Sequence, residues 1–183
     1  MSVSSCKVLT TVAALSVLAS AVSDPVAAVD IMPVQVNLNK VTAAGIGEKI
    51  GIVSLTETAK GLEFDVVING IAPGDHGFHV HEKGDCGPGE KDGKMAAGVA
   101  AGPHYDPEGH KSHQGPENAG HRGDLPVLKI STGETKEKLI APRLKLDDVR
   151  GRAIMVHEGG DTYSDQPELG GGGARIACGV VPE

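Results

Sequence analysis

Six of the eight histidines in this 183-residue chain are spaced as metal ligands, and a carboxylate joins them. The set starts with a His-x-His pair and continues over the next 76 residues: His79, His81, His104, His113, His121, Asp124 and His157. Imidazole binds both copper and zinc, and seven ligands are enough for two ions if one ligand bridges them. We therefore predict a two-metal site.

The ligand types also indicate which metals bind. Three imidazoles and one carboxylate complete a tetrahedral zinc shell with no open position, which is typical of a structural ion. Four imidazoles without a carboxylate suit copper, which tolerates tetragonal geometry and changes its oxidation state. His104 serves both ions if both of its ring nitrogens bind. For the two remaining histidines, His76 and His110, the sequence favours surface or hydrogen-bonding roles.

Short β-strands must position these ligands. Alternating or apolar runs bounded by turn residues predict eight strands, at residues 34–38, 50–55, 62–68, 77–81, 127–130, 137–140, 153–157 and 175–181. Residues i and i+2 of a strand share one face, so His79 and His81 can reach the same ion. His157 ends another strand.

Two long segments without periodicity separate these strands, at 82–126 and 158–173. The first carries four of the predicted ligands, and long irregular loops in compact domains are usually functional or disordered. With no convincing amphipathic helix, we predict an all-β fold, an eight-stranded antiparallel Greek-key β-barrel or sandwich with two long functional loops.

Composition limits the remaining function classes. The formal net charge of −7 argues against a nucleic-acid binder, which usually shows a basic patch. Aromatic residues make up only 2% of the chain and Trp is absent, so a core must be built from Val, Ile, Leu and Ala.

The N-terminus resembles a cleavable secretory signal peptide, over about residues 1–23. Lys7 precedes an uncharged stretch from 8 to 22, and small residues follow near Ala21. The alternative is a membrane helix, but this stretch is shorter than the roughly 18 residues needed to span. Cys6 lies before the apolar run, which argues against a lipid anchor. We predict an exported protein with no membrane anchor.

Export bears on the three cysteines. Once Cys6 leaves with the signal peptide, Cys86 and Cys178 remain as one pair in a compartment where disulfides persist. The sequence thus favours a Cys86–Cys178 disulfide, with two buried free thiols as the alternative.

Five segments together resemble copper,zinc superoxide dismutase in its bacterial exported form. The resemblance extends from about Val34 to the end, which gives a domain over 34–183. The segments are GFHVH at 77–81, GPHYDP at 102–107, GHRGDLP at 120–126, MVHEGGD at 155–161 and GGGGARIACGV at 170–180.

The resemblance implies roles for individual residues. Copper would be held by His79, His81, His104 and His157, and zinc by His104, His113, His121 and Asp124. Bridging His104 would also take part in proton transfer. Arg175 would lie beside copper as a catalytic residue, and Asp161 would link a copper-ligand to a zinc-ligand histidine. Cys86 and Cys178 would form the family's disulfide.

The implied reaction is the dismutation of superoxide to oxygen and hydrogen peroxide, with redox-active copper and structural zinc, in the bacterial periplasm. Lys83, Lys91 and Lys94 are candidates for attracting the anion. Both a monomer and a homodimer stay open. Two other functions are an exported copper-binding carrier and a zinc-stabilised structural module without turnover. The few methionines argue against a carrier, since Cu(I) favours sulfur ligands.

Overall fold

The computed structural model describes Met1 and residues 32–183; the predicted signal peptide and Cys6 lie outside the described residues. Between residues 32 and 183, helix is limited to α1 (Leu146–Val149) and two single 3-10 turns (Val99–Ala101 and Glu168–Gly171). The remaining elements of this described part are eleven strands, β1 (Val34–Thr42), β2 (Gly45–Thr58), β3 (Gly61–Ile68), β4 (Gly74–His76), β5 (Phe78–His81), β6 (Gly89–Lys91), β7 (Lys94–Ala96), β8 (Leu128–Ile130), β9 (Thr135–Ala141), β10 (Ala153–His157) and β11 (Arg175–Val180).

Seven of these strands form one curled antiparallel sheet, in the order β5-β10-β11-β1-β2-β3-β9. Two further antiparallel pairs, β4–β8 and β6–β7, complete the strand pairing. The predicted all-β antiparallel class is therefore confirmed.

The core follows from strand periodicity. In β3 every second residue is buried, namely Leu62, Phe64, Val66 and Ile68. Phe64 packs edge-to-face on Phe78 of β5, with ring centroids 5.8 Å apart. These are the only two phenylalanines, so the rest of the core is aliphatic, as composition predicted.

The strands that carry the site, β5 and β10, are buried on both faces. In β5, Phe78 and Val80 pack in the main core. Strand alternation then directs His79 and His81 to the opposite face. The register places His79 opposite Met155 of β10, and His157 opposite Arg175 of β11. A rigid, paired framework thus supports four of the predicted site residues.

Cys86 and Cys178 form a disulfide, with their Cα atoms 5.7 Å apart. The predicted pairing is confirmed, and the alternative of free thiols is wrong. The bridge attaches the first long loop to β11, and both cysteines are buried in a small second core with Ala153 and Met155. Within residues 32–183, no helix has the length and apolar character needed to cross a membrane.

Candidate metal centre

Four histidine rings meet at the face of β5 and β10 that is directed away from the main core. Backbone bridges pair His81 with His104 and His79 with Asp124, which brings the first long loop across this face. The rings of His79 and His104 stack with centroids 4.0 Å apart, and the Nε2 atoms of His81 and His157 are 3.4 Å apart. One nitrogen from each of these four histidines lies within 4.8 Å of the others.

A second group of ligand atoms surrounds Asp124. Its Oδ1 atom lies 3.1 Å from Nδ1 of His104, 3.0 Å from Nδ1 of His113 and 3.4 Å from Nδ1 of His121. The Asp124 side chain is fully buried. Three imidazoles and a carboxylate converge here, which is the donor set of a structural zinc site.

One group of four candidate ligands around Asp124 differs in one member from the predicted zinc set. His79, His104, His113 and Asp124 offer atoms within 4.8 Å of one another, whereas His121 is not part of that group. His79 enters it because its ring stacks on that of His104. His121 nevertheless directs Nδ1 towards the same carboxylate oxygen.

In several of these histidines, one ring nitrogen is held by a hydrogen bond to a neighbouring residue. The other nitrogen of the same ring is left free to bind a metal. Buried Asp161 accepts from Nε2 of His79 at 2.8 Å and from Nε2 of His113 at 2.7 Å. Nδ1 of His81 donates to the Gly102 carbonyl at 2.8 Å. A neutral imidazole that donates from one nitrogen presents a lone pair on the other. Nδ1 of His79 and of His113, and Nε2 of His81, are thereby set as acceptors.

Three ring nitrogens are buried without a hydrogen-bond partner among the described residues: Nδ1 of His79, His113 and His121. A buried polar atom left unpaired costs about 1–3 kcal/mol. A bound cation satisfies such lone pairs. The residues present therefore fit copper and zinc.

The histidines on the strands are held neutral. Burial, reinforced by neighbouring histidines, keeps the pKa of His79 and of His81 well below the usual value. Burial and the nearby His104 lower the pKa of His157 to about 3. Because a metal binds the unprotonated ring, these side chains are ready to ligate at neutral pH.

The zinc side is more strongly charged. Burial opposes the charged form of His113, but the neighbouring carboxylates of Asp124 and Asp161 raise its pKa to about 9. Burial likewise opposes ionisation of Asp124, yet the three adjacent histidines hold its pKa far below the usual range. Without metal, His113 therefore carries a proton at neutral pH that zinc must displace.

Arg175, at the start of β11, lies half-buried beside the four-histidine group. Its Nη1 and Nη2 atoms donate to the carbonyls of Gly98 and Gly102, at 2.5 and 2.6 Å. A cavity of about 300 Å³ opens at this side chain, and its lining includes Lys91, Pro103 and Ala174. The guanidinium is thus held rigidly at the wall of an open cavity.

The structure also assigns places to the two histidines that the sequence left open. His76 is buried, and its Nδ1 atom lies 2.7 Å from the backbone carbonyl of His157, while Nε2 lies 2.9 Å from that of Ala72. His110 is exposed. Sequence reasoning expected a hydrogen-bonding role for His76 but not contact with a predicted ligand, because a backbone acceptor leaves no mark in the sequence.

Comparisons with known proteins agree with this geometry. A family model described as copper/zinc superoxide dismutase matches residues 49–181. A superoxide dismutase [Cu-Zn] from Escherichia coli is 53% identical over 150 residues, covering 80% of this chain and 87% of that protein. One from Brucella abortus is 50% identical over 149 residues, covering 80% and 86%.

Solved structures give the same relationship. The copper/zinc superoxide dismutase from Brucella abortus matches with a TM-score of 0.80 at 49% identity, over 81% of this chain and 99% of that one. The solution structure of the monomeric enzyme from Salmonella enterica matches with a TM-score of 0.73 at 50% identity, over the same shares.

Proposed function

The chain belongs to the copper/zinc superoxide dismutase family, and we propose how its residues divide the work of that activity. It is an oxidoreductase whose substrate is superoxide and whose cofactors are copper and zinc. When bound, copper would supply the one-electron chemistry by which two superoxide anions and two protons become dioxygen and hydrogen peroxide. The carrier and structural-module alternatives are not favoured.

For copper we propose four ligand atoms: Nδ1 of His79 and Nε2 of His81, His104 and His157. Support comes from the outer nitrogens, because His79 donates to Asp161 and His81 to Gly102. The Nδ1 atom of His157 lies 3.4 Å from the Gly173 carbonyl, which leaves Nε2 facing His81.

For zinc we propose Nδ1 of His104, His113 and His121 together with the Asp124 carboxylate. The observation that carries the assignment is the convergence of three Nδ1 atoms on one buried carboxylate oxygen, at 3.0–3.4 Å. His104 would then hold zinc with Nδ1 and copper with Nε2, and so would be shared by both ions.

His104 is also proposed to handle the proton. With both metals bound, Nδ1 of His104 would stay with zinc beside Asp124, and Nε2 would be the nitrogen able to hold a proton. Burial lowers the pKa of His104 in the metal-free protein, which favours the neutral ring that binds metal.

Arg175 is proposed to bind the superoxide anion. A guanidinium stays charged, although burial lowers the pKa of Arg175. Its two hydrogen bonds to backbone carbonyls orient the side chain at the cavity wall. Asp161 is proposed to orient His79 and His113 at once.

We further propose export to the periplasm and removal of about residues 1–23. Support comes from the signal-like N-terminus, the disulfide and the bacterial origin of the relatives. Expression of the full chain in a Gram-negative host, followed by fractionation and intact-mass measurement, tests this proposal. A full-length cytoplasmic product contradicts it.

The homodimer stays a proposal without direct support, since one close structural relative is described as monomeric. Sedimentation equilibrium of the mature protein separates the two masses. A monomer mass at all concentrations excludes the homodimer.

The ligand assignment is tested by measuring dismutation, copper content and zinc content before and after His79→Ala. We expect one copper and one zinc per chain in the starting protein, and loss of copper and activity with zinc retained in the variant. Full copper retention in the variant would remove His79 from the copper site.

A further inference from the structure

An arginine outside the metal centre reaches the loop segment that carries His121. Arg143 lies two residues after the end of β9. Its Nη2 atom donates to the Gly120 carbonyl at 2.8 Å, and Nη1 donates to the carbonyls of Asn118 and His121, the latter at 3.4 Å. One guanidinium therefore holds three backbone acceptors within four residues.

The other hydrogen bonds of this segment stay inside the same loop. The amide of His121 donates to the Ser112 carbonyl at 2.9 Å, and the amide of Gly120 donates to that of Asn118, also at 2.9 Å. The side chain of Asn118 donates to the Gln114 carbonyl. Over residues 118–121, within the described chain, Arg143 is thus the hydrogen-bonded link to the strand framework.

Arg122, the residue after 118–121, forms a second link between this loop and the segment after β9. Here the arginine lies on the loop and its partner on the segment. Arg122, on the loop, pairs with Asp148 of α1 at 3.2 Å and also with Glu108. The loop is therefore attached by one arginine on each side to the segment that follows β9. The loop itself is tight here, since an added Cβ on buried Gly120 would lie 2.7 Å from the Ser112 carbonyl oxygen.

The proposed ligands differ in how much they need such a link. His79 and His81 lie on β5, which pairs with β10. His157 lies on β10, which is paired on both sides, with β5 and with β11. His121 lies on irregular chain, and its buried Nδ1 atom lacks a hydrogen-bond partner. Its position relative to Asp124 depends on how the backbone of 118–121 is held.

We propose that Arg143 is a positioning residue for zinc: it fixes the backbone around His121 so that Nδ1 of His121 and the Asp124 carboxylate face one ion. This inference rests on the proposed function, because it takes His121 as a zinc ligand. Lysine can donate to these carbonyls only from a single nitrogen, whereas the planar guanidinium spans them. The effect is expected on zinc and not on copper.

The test compares Arg143→Ala, Arg143→Lys and the matched control Arg150→Ala in the copper- and zinc-loaded protein. Arg150 lies on the same segment and also donates to backbone carbonyls, but those of Pro182 and Glu183. The readouts are the rate of zinc release to a chromophoric chelator, copper retention, and the visible spectrum of cobalt(II) placed in the zinc site.

We expect Arg143→Ala to release zinc about tenfold faster or more, the scale on which outer contacts of metal ligands act. Copper should be retained and the cobalt spectrum altered. Arg143→Lys should fall between Arg143→Ala and the starting protein, and Arg150→Ala should match the starting protein.

Equal zinc release from Arg143→Ala and the starting protein would overturn the inference, and so would equal acceleration by Arg150→Ala. If Arg143→Ala does not fold, Arg143→Lys carries the test, and an unchanged release rate and spectrum in that variant overturn it. His121→Ala distinguishes a failure of the role proposed for Arg143 from a failure of the zinc assignment itself. If it alters zinc release while the Arg143 variants do not, only this inference fails; if it alters nothing, the zinc assignment fails and the inference with it.

Discussion

At the scale of single residues, the site depends on which nitrogen of each imidazole carries hydrogen. Asp161 sets this for two rings at once, because its two oxygens accept from Nε2 of His79 and of His113. One buried carboxylate therefore connects the strand-borne and the loop-borne ligands. The spacing of the histidines indicated the candidate ligands, and the hydrogen bonds in the structure add which ring nitrogen of each is set to donate.

Asp161→Asn should weaken the binding of both metals by roughly 10- to 100-fold, because an amide offers one acceptor where two N–H groups need one each. Competition with a graded series of chelators measures the affinities. Asp147→Asn is the matched control, since that carboxylate is almost fully exposed. Unchanged affinities in Asp161→Asn would contradict the role proposed for Asp161.

Zinc uptake by the metal-free protein should depend on pH through His113. Since the pKa of His113 is raised to about 9, the ring is protonated below that pH and zinc must displace the proton. Affinity should therefore rise with pH up to about 9 and then level off. Calorimetric titration in buffers of different ionisation enthalpy gives the affinity and the number of protons released. Uptake without proton release at pH 7 would contradict this prediction.

At the scale of elements, the hairpins hold the sheet in register. Gly61, which opens β3, has φ +123, and an added Cβ would lie 2.6 Å from the Cα atom of Pro142. Gly45, which opens β2, has a similar φ of +135 but nothing within 4 Å of an added Cβ. The two positions therefore separate backbone strain from a steric clash.

Gly45→Ala should lower the free energy of unfolding by about 1–2 kcal/mol through backbone strain alone. Gly61→Ala should cost clearly more, by about 3 kcal/mol or above, because the clash with the chain after β9 adds to the same strain. Urea unfolding of the metal-free proteins measures both. Equal losses would show that the close approach at Gly61 relaxes without cost.

All eight strands predicted from the sequence have counterparts in the structure, because each combines apolar alternation with turn residues at its ends. Their limits differ. The predicted strand 50–55 extends over Gly45–Thr58, since exposed polar residues at its ends obscure the pattern. The three remaining strands, β4, β6 and β7, have three residues each, which is too short for a periodic signal.

For the candidate site, as for the strands, the sequence indicated the main residues but not all of their contacts. Ligand types and spacing, together with the family resemblance, indicate the residues, because metal chemistry restricts the choice of side chain. The contacts of Arg143 and His76 were not predictable, since both are made to backbone carbonyls. Such acceptors exist at every residue, and only the folded chain selects among them.

At the scale of the whole molecule, the disulfide closes a sequence separation of 92 residues. A cross-link over a loop of that size should stabilise by about 4 kcal/mol on the chain-entropy model. Replacing both Cys86 and Cys178 by alanine should lower the free energy of unfolding of the metal-free protein accordingly. Denaturation of the starting protein under reducing conditions is the control and should approach the variant. A loss under about 1 kcal/mol would contradict this estimate.

The molecule as a whole is acidic, with a formal charge of −7, yet its substrate is an anion. Lys91 and Arg175 both line the same cavity, so local positive charge there offsets the negative field of the whole molecule. Of the three candidate lysines, Lys91 is the one in the lining of this cavity.

Lys91→Ala should lower kcat/KM for superoxide by roughly twofold to fivefold at low salt, and the difference should shrink as ionic strength rises. Lys60→Ala is the matched control, because it changes the net charge equally and lies in the turn between β2 and β3. Pulse radiolysis over a range of salt concentrations measures both. An equal loss in the two variants would assign the effect to net charge.

His104 is proposed to join a copper site on the strands to a zinc site on the loop. Anomalous diffraction from crystals of the loaded protein, at the copper and zinc edges, tests this proposal. We predict a copper peak among His79, His81, His104 and His157, and a separate zinc peak among His104, His113, His121 and Asp124. A zinc peak bound by His79 in place of His121, or two metals not sharing His104, would contradict this account.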